Sequence, residues 1–174
     1  MATSAELLVD GFGRIRENVA EVLDGLSPEQ LAYQIDPDAN SVSWLVWHLT
    51  RVQDDHVAAA FGVPQVWSAD GWARRFGLPA GMMDHGYGHT RDQVSAVSAA
   101  TAASGLLGEY HETTYAQTVK LVSEIRDADL DRVVDTRWTP AVTLGVRLVS
   151  VLDDDMQHVG QAAFVRGIVL RANG

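Results

Sequence analysis

Apolar residues recur at spacings of three and four along most of this chain. The clearest stripe lies within residues 4–24 and consists of Leu8, Phe12, Ile15, Val19 and Val22. A stripe of this period covers one face of an α-helix, so it predicts a helix that buries that face. A short second helix is predicted to begin after Ser27, because Ser27 is a good N-cap and Gln30, three residues later, completes a capping box.

Three longer helical segments follow, separated by stretches rich in glycine, proline and short polar residues. They cover residues 41–62, 90–125 and 143 to nearly the C-terminus. A long loop, residues 63–89, joins the first of these segments to the second. No stretch keeps the alternation of apolar and polar residues that is typical of β-strands. The pattern predicts an all-α four-helix bundle, formed by residues 1–174 as one domain, with the long loop between the second and third main helices.

The charge balance limits the partners that can be expected. Thirteen Lys and Arg oppose 23 Asp and Glu, which gives a formal net charge of -10. Such a surface repels phosphate backbones and anionic lipids, so neither nucleic acid nor a membrane is predicted as a partner. No apolar run approaches the roughly 18 residues of a membrane span, and the N-terminus lacks the pattern of a signal peptide. A cytoplasmic location is therefore expected.

Cysteine is absent from the chain. Disulfides and a cysteine nucleophile are therefore excluded, and any thiol chemistry must use a thiol from outside the protein. The basic residues are twelve arginines and one lysine, a bias typical of GC-rich genomes such as those of actinobacteria.

The segment DDDMQHVGQ, residues 153–161, places charge inside a helix whose pattern is otherwise apolar. Asp154 and His158 are four residues apart and therefore lie on one face of the helix, and Asp155 is also within reach of His158. The residues one turn before and after on this face are apolar, which indicates that the face points into the protein. A carboxylate in that position is costly unless it is neutralised, paired or bound to a cation.

A second histidine has equally apolar surroundings. His48 lies in the sequence SWLVWHL on the second main helix. With Asp154 and His158 it makes two imidazoles and a carboxylate, and three such ligands with an open fourth position are typical of a catalytic metal site. The structural alternative is that His48 is a hydrogen-bonded core residue and that Asp154 and His158 form an ordinary i,i+4 pair. Spacing alone leaves both interpretations open.

The segments NSVSWLVWHLTRVQDDH and DDDMQHVGQ resemble those of the DinB/YfiT-like superfamily, including its actinobacterial branch of mycothiol-dependent S-transferases. The resemblance implies a bundle that holds a divalent metal with a histidine of the second helix and two ligands, four residues apart, of the last. His48 and His158 match two of these positions. Asp154 stands where many members have histidine, and the related mycothiol-dependent maleylpyruvate isomerases are similar in having a carboxylate there.

The resemblance also implies an activity. Superfamily members with assigned activity are S-transferases or isomerases that use a low-molecular-weight thiol, which is mycothiol in actinobacteria. We therefore expect a metal-dependent transferase that conjugates mycothiol to an electrophilic small molecule, as in detoxification. Zn²⁺ is the first candidate metal, and Ni, Mn and Fe are others. The alternatives are a mycothiol-dependent isomerase and a non-catalytic, stress-related bundle that binds a metal or a small molecule. A homodimer is compatible with such a bundle.

Further residues are candidates for the surroundings of the metal. Asp55 lies seven residues after His48 on the same helical face, and Gln161 lies three after His158. Either side chain could orient a ligand or a metal-bound water. Tyr87 and His89 belong to the long loop and would contact the substrate if that loop covers the metal edge.

A di-iron site is a further interpretation of the histidine-containing helices. Asp155 and His158 would form half of it, and Glu109 or Glu112, near His111, would supply bridging ligands. Such a site requires a second E-x-x-H, which the sequence lacks, so a di-iron site is not predicted.

Overall fold

The computed structural model describes residues 2–78, 85–102 and 105–172, and helices make up most of this part of the chain. The helices are α1 (Ser4–Leu23), α2 (Pro28–Leu31), α3 (Val42–Phe61), α4 (Val66–Ala69), α5 (Trp72–Phe76), α6 (Arg91–Ala100), α7 (Leu106–Val122) and α8 (Leu144–Ala172). Two short antiparallel strands, β1 (Val133–Asp135) and β2 (Val142–Thr143), precede α8. None of the described helices is both long enough and apolar enough to span a membrane.

Four helices pack around one core. α3 packs against α7 and α8, and α1 packs against the same two helices. The apolar stripe predicted for α1 is buried, as expected. The predicted all-α four-helix bundle is therefore confirmed.

The sequence of α3 explains its central place in the bundle. Its apolar residues are not confined to one stripe, and every side chain from Val42 to Asp54 is buried. A helix that is apolar on all sides is stable only when other elements cover each face, and α6, α7 and α8 all pack against α3. Ser41 caps its start, and Gly62, with a φ of 67°, ends it. The buried length of α3 carries His48 into the interior.

The segment predicted as one helix over residues 90–125 is two helices, so that prediction is wrong. α6 ends at Ala100 with Thr101 as its C-cap, and α7 begins after Gly105. Gly105 has a φ of 86°, which a right-handed helix does not contain. α6 begins with a capping box formed by Thr90 and Gln93.

The long connection between α3 and α6 is partly helical. It contains α4 and α5, whose Trp67 and Trp72 are buried against the bundle. Asp54 fixes α4 to α3, because its carboxylate accepts hydrogen bonds from the backbone N–H groups of Val66 and Trp67, both at 2.9 Å. The connection is thus attached to the bundle close to the buried half of α3.

Candidate metal centre

His48, Asp154 and His158, which we call the trio, meet between α3 and α8. His48 Nε2 lies 4.0 Å from Asp154 Oδ2, and His158 Nε2 lies 3.7 Å from Asp154 Oδ1. One ligand atom of each residue lies within 4.8 Å of the other two. These separations are too long for direct hydrogen bonds, whereas the ligands of a tetrahedral zinc ion stand roughly 3.4 Å apart. The trio therefore encloses a space of the size that one cation needs.

Both imidazoles of the trio are oriented by hydrogen bonds at Nδ1. His48 Nδ1 donates to the carbonyl oxygen of His85, and His158 Nδ1 donates to Gln161 Oε1 at 3.0 Å. Carbonyl and amide oxygens only accept hydrogen bonds, so each ring carries its proton on Nδ1 and its lone pair on Nε2. Histidines that bind metals are commonly held in this way. The structure therefore places Gln161 where it can orient His158.

Burial shifts the pKa values of His48 and Asp154. It lowers the pKa of His48 to about 4, so the ring is neutral at pH 7 and its lone pair is available. Burial also raises the pKa of Asp154, although the nearby His158 offsets part of this effect. Asp154 Oδ2 is buried and has no hydrogen-bond partner among the described residues. A cation would supply the missing partner, so the donor set fits a divalent metal.

Residues 85–89 lie against one side of the trio. Trp44 stacks on His48 with ring centroids 4.6 Å apart, and its Nε1 donates to Nδ1 of His89 at 3.2 Å. His89 is thus connected to His48 through Trp44, close to the position expected from the sequence. The Tyr87 side chain is 89% exposed, so the structure does not bring it to the trio.

Gly86 lies against the rings of the candidate site, and the sequence analysis did not single it out. Its φ is 95°, and a Cβ there would lie 2.8 Å from the ring of Trp47 and 3.0 Å from the ring of Trp44. Glycine therefore allows the backbone to approach closely enough for the His85 carbonyl to accept from His48. The signal in the sequence is the glycine spacing of HGYGH.

Asp55 lies in a different cluster from the trio. It is two turns beyond His48, roughly 10 Å along the helix axis. Its Oδ1 accepts from Gln65 Nε2, and its Oδ2 lies 3.6 Å from His56 Nδ1. Asp55, His56 and His85 form a second group of closely spaced ligand atoms.

Asp155 is not part of the candidate site, although the sequence places it within reach of His158. It is fully buried on the face of α8 that also carries Val151 and Val159. Neither of its oxygens has a hydrogen-bond partner among the described residues. Burial raises the pKa of the Asp155 carboxyl well above its usual range.

The residues considered for a di-iron site have other partners. Glu109 and Glu112 form ion pairs with arginines at the surface. His111 is buried, and its Nδ1 lies 3.0 Å from Thr50 Oγ1. The Thr50 hydroxyl donates its one proton to the Val46 carbonyl at 2.8 Å, so it accepts from His111 Nδ1. His111 is therefore a neutral core residue.

His111→Asn is expected to reduce the loss of stability in acid. Burial, with a smaller contribution from the charge of Arg16, lowers the pKa of His111 to about 4 from its ordinary 6.5. Between pH 6.5 and 4, the imidazole of His111 therefore binds a proton in the unfolded chain but not in the folded chain. The neutral buried ring therefore stabilises the folded protein fully above pH 6.5. This contribution to the free energy of unfolding, on the order of 3 kcal/mol, is lost as the pH falls through 4.

The asparagine amide can still donate to Thr50, so the hydrogen bond is kept while the titration is removed. Urea unfolding at several pH values between 7 and 4 measures the free energy of unfolding for both proteins. Parallel pH dependences in the wild-type protein and the variant would contradict this prediction.

Comparison with known proteins gives this geometry a family context. The family model described as Mycothiol-S-transferase matches residues 7–170. A crystal structure described as that of the conserved protein of locus from Enterococcus faecalis shares 30% sequence identity and a TM-score of 0.87, over 98% of this chain and 99% of that chain. No curated protein matches the chain. The resemblance noted from the two histidine-containing segments is confirmed, and the chain belongs to the mycothiol-S-transferase family.

Proposed function

We propose that this chain is a metal-dependent transferase that conjugates mycothiol, or a similar low-molecular-weight thiol, to an electrophilic small molecule. The observation that carries the proposal is the trio, in which two Nε2 lone pairs and one carboxylate surround a space for one cation. The family supports the choice of thiol. The chain has no cysteine, so the thiol comes from outside the protein.

The donor set of the trio suits a divalent ion of intermediate softness. Two imidazole nitrogens and one carboxylate oxygen, with an open position, are a ligand set of catalytic Zn²⁺. Ni, Mn and Fe ions accept the same ligands, but Mn²⁺ prefers oxygen to sulfur. We favour Zn²⁺ because it also binds thiolate sulfur, with His48, Asp154 and His158 as the residues that would hold it.

A bound divalent cation lowers the pKa of a coordinating thiol, so that the sulfur is present as thiolate at neutral pH. In the overall reaction a bond forms between sulfur and the electrophilic carbon, and the bond from that carbon to its leaving group breaks. The leaving group departs with the bonding electron pair, and the thiol proton passes to the solvent.

The protein contributes orientation, charge balance and exclusion of water. Gln161 and the His85 carbonyl hold the two imidazoles in their metal-binding tautomers. Asp154 supplies a negative charge that partly balances a cation. Trp44, stacked on His48, covers one side of that ring and keeps water from it.

Metal analysis followed by a thiol-transfer assay tests the proposed function. Protein purified without added metal is expected to contain about one zinc ion per chain and to consume mycothiol when monochlorobimane is supplied as the electrophile. Chelation should remove both the metal and the activity, and added Zn²⁺ should restore both. Conjugation that continues at the same rate without metal would overturn the proposal.

The same assay separates the alternatives. Protein that holds metal but consumes no thiol with any electrophile would be a non-catalytic metal-binding bundle. Conversion of a cis substrate to its trans isomer, dependent on mycothiol but without net consumption of it, would identify an isomerase.

A further inference from the structure

An apolar cavity adjoins the trio on one side. It has a volume of about 410 Å³ and lies between α8, α3 and the connection from α2 to α3. Its wall includes Ile35, Leu45, Gly160, Gln161, Phe164 and Val165. Leu45 lies three residues before His48 on α3, and Gln161 lies three after His158 on α8. The cavity therefore begins one helical turn from each histidine.

The wall of this cavity has the chemistry of a site for an uncharged, apolar group. None of the described residues that form it is charged. Ile35 and Phe164 are 44% and 63% exposed, so an apolar ligand could remove their surface from water. Gln161 joins the cavity to the trio, because the same side chain accepts the hydrogen bond from His158.

The other side of the trio is polar. A smaller cavity, about 150 Å³, is lined by Asp55, His56, Asp135, Arg137 and Arg147, with three apolar residues. Asp135 accepts from both arginines, at 2.8 and 2.9 Å. His85 lies between this cavity and the trio, with its ring centroid 6.3 Å from that of His48 and 5.7 Å from that of His56. The surroundings of the trio are thus apolar on the side of Gln161 and polar on the side of His85.

A larger cavity lies elsewhere in the bundle. Its volume is about 670 Å³, and it is formed by the end of α1, α2 and the start of α7. Asp24 is the one titratable side chain among the described residues of its wall, and no residue of the trio lines it. It therefore offers no chemistry for a reacting group.

We propose that the apolar cavity beside Gln161 binds the electrophile, and that the electrophile carries an uncharged aliphatic or aromatic group. This inference rests on the proposed function. A thiol linked to sugars carries many hydroxyl groups, which an apolar wall leaves without hydrogen-bond partners, so this wall suits the other substrate. The apolar group then lies beside the trio, with the reacting carbon of the electrophile next to the thiol sulfur.

Alkyl bromides of increasing chain length, from ethyl to hexyl, test the inference in the metal-loaded protein. In the wild-type protein kcat/KM is expected to rise roughly two- to fourfold for each added methylene until the chain fills the cavity. Thiol concentration is held constant and saturating, and the KM for the thiol is measured separately.

Gly160→Leu is designed to fill the cavity without damaging α8. A Cβ at Gly160 would meet no atom within 4 Å, and leucine is a better helix former than glycine. In this variant the increase in kcat/KM with chain length should be lost, because leucine occupies the space that the added methylenes would fill. Phe164→Ala removes part of the cavity wall and should reduce the increase in kcat/KM for each added methylene.

Val149→Ala is the matched control for both variants. Val149 lies on the same helix, is 62% exposed and lines neither cavity, so this variant should keep the wild-type rise. The inference is overturned if the wild-type rates do not depend on chain length. It is equally overturned if Gly160→Leu keeps the full rise, or if Val149→Ala loses it.

Binding of 1-hexanol, which has no leaving group, separates failure of this inference from failure of the proposed function. Amide chemical shifts of Gly160 and Gln161 should move on titration in the wild-type protein and not in Gly160→Leu. If these shifts move but no bromide reacts, the transferase proposal fails and the cavity remains a site for apolar ligands. If thiol transfer occurs but hexanol does not bind, the cavity assignment fails and the proposed function stands.

Discussion

His48→Ala is expected to abolish stoichiometric metal binding and to lower the rate of thiol transfer on the order of a hundredfold or more. The substitution leaves one imidazole and one carboxylate, both from α8, and two ligands hold a divalent ion weakly. It also removes the imidazole that faces Asp154 Oδ2, an oxygen without a hydrogen-bond partner among the described residues. Elemental analysis and the mycothiol assay, on the same sample, measure both effects.

The matched control for this experiment is His111→Asn. It also replaces a buried imidazole, but that ring faces Thr50 on another side of α3. Its metal content should equal that of the wild-type protein. One metal ion per chain in His48→Ala would remove His48 from the ligand set, and loss of metal from both variants would show that metal content follows stability rather than coordination.

Asp54→Ala is expected to lower the free energy of unfolding by about 3–5 kcal/mol. The carboxylate accepts hydrogen bonds from the backbone of Val66 and Trp67 and from the hydroxyl of Tyr110, each at 2.9 Å. The buried Arg51 lies 3.5 Å away and would lose its carboxylate partner. The variant leaves four buried donors without this acceptor, and chemical denaturation measures the cost.

Asp55→Ala provides the comparison for Asp54→Ala, because the two carboxylates are adjacent in sequence. Asp55 is partly exposed and should contribute about 1 kcal/mol or less. Hydrogen exchange gives a local measurement, since the amides of Val66 and Trp67 should exchange faster in Asp54→Ala only. Equal losses of stability in the two variants would contradict the special role of Asp54.

The periodicity of apolar residues was sufficient to predict three of the four bundle helices, α1, α3 and α8. In α1 the stripe and the buried face coincide, because nothing except the core competes for those side chains. The pairing of Asp154 with His158 also follows from helix geometry, since residues four apart share a face in any helix. The tryptophans beside His48 favour a buried ring, but its connection with Asp154 and His158 was expected from the resemblance to the superfamily, since spacing alone left a structural role equally open.

The interruption between α6 and α7 could not be predicted from periodicity. The run before Gly105 consists of small residues that fit a helix, whereas Gly105 itself, the N-cap of α7, has a φ of 86°. β1 and β2 have three and two residues, which is too short for an alternating pattern to be recognised. These features depend on contacts that are distant in the sequence.

The run of three carboxylates shows a second limit of sequence reasoning. Successive helical residues are rotated by about 100°, so Asp153, Asp154 and Asp155 point in three directions. Apolar residues precede and follow the run on more than one face, so the sequence could not show which carboxylate enters the core. The structure buries Asp155 completely and leaves Asp154 between α3 and α8.

The acceptor that fixes the His48 ring belongs to the main chain, so its chemistry is the same whatever side chain residue 85 has. The neighbouring position has no such freedom, because a methyl group on Gly86 would displace the peptide from the two indole rings. The tautomer of His48 is fixed by the carbonyl oxygen of His85. The close approach of that oxygen depends on the absence of a side chain at Gly86. A mutational survey that scores only polar side chains would overlook this position.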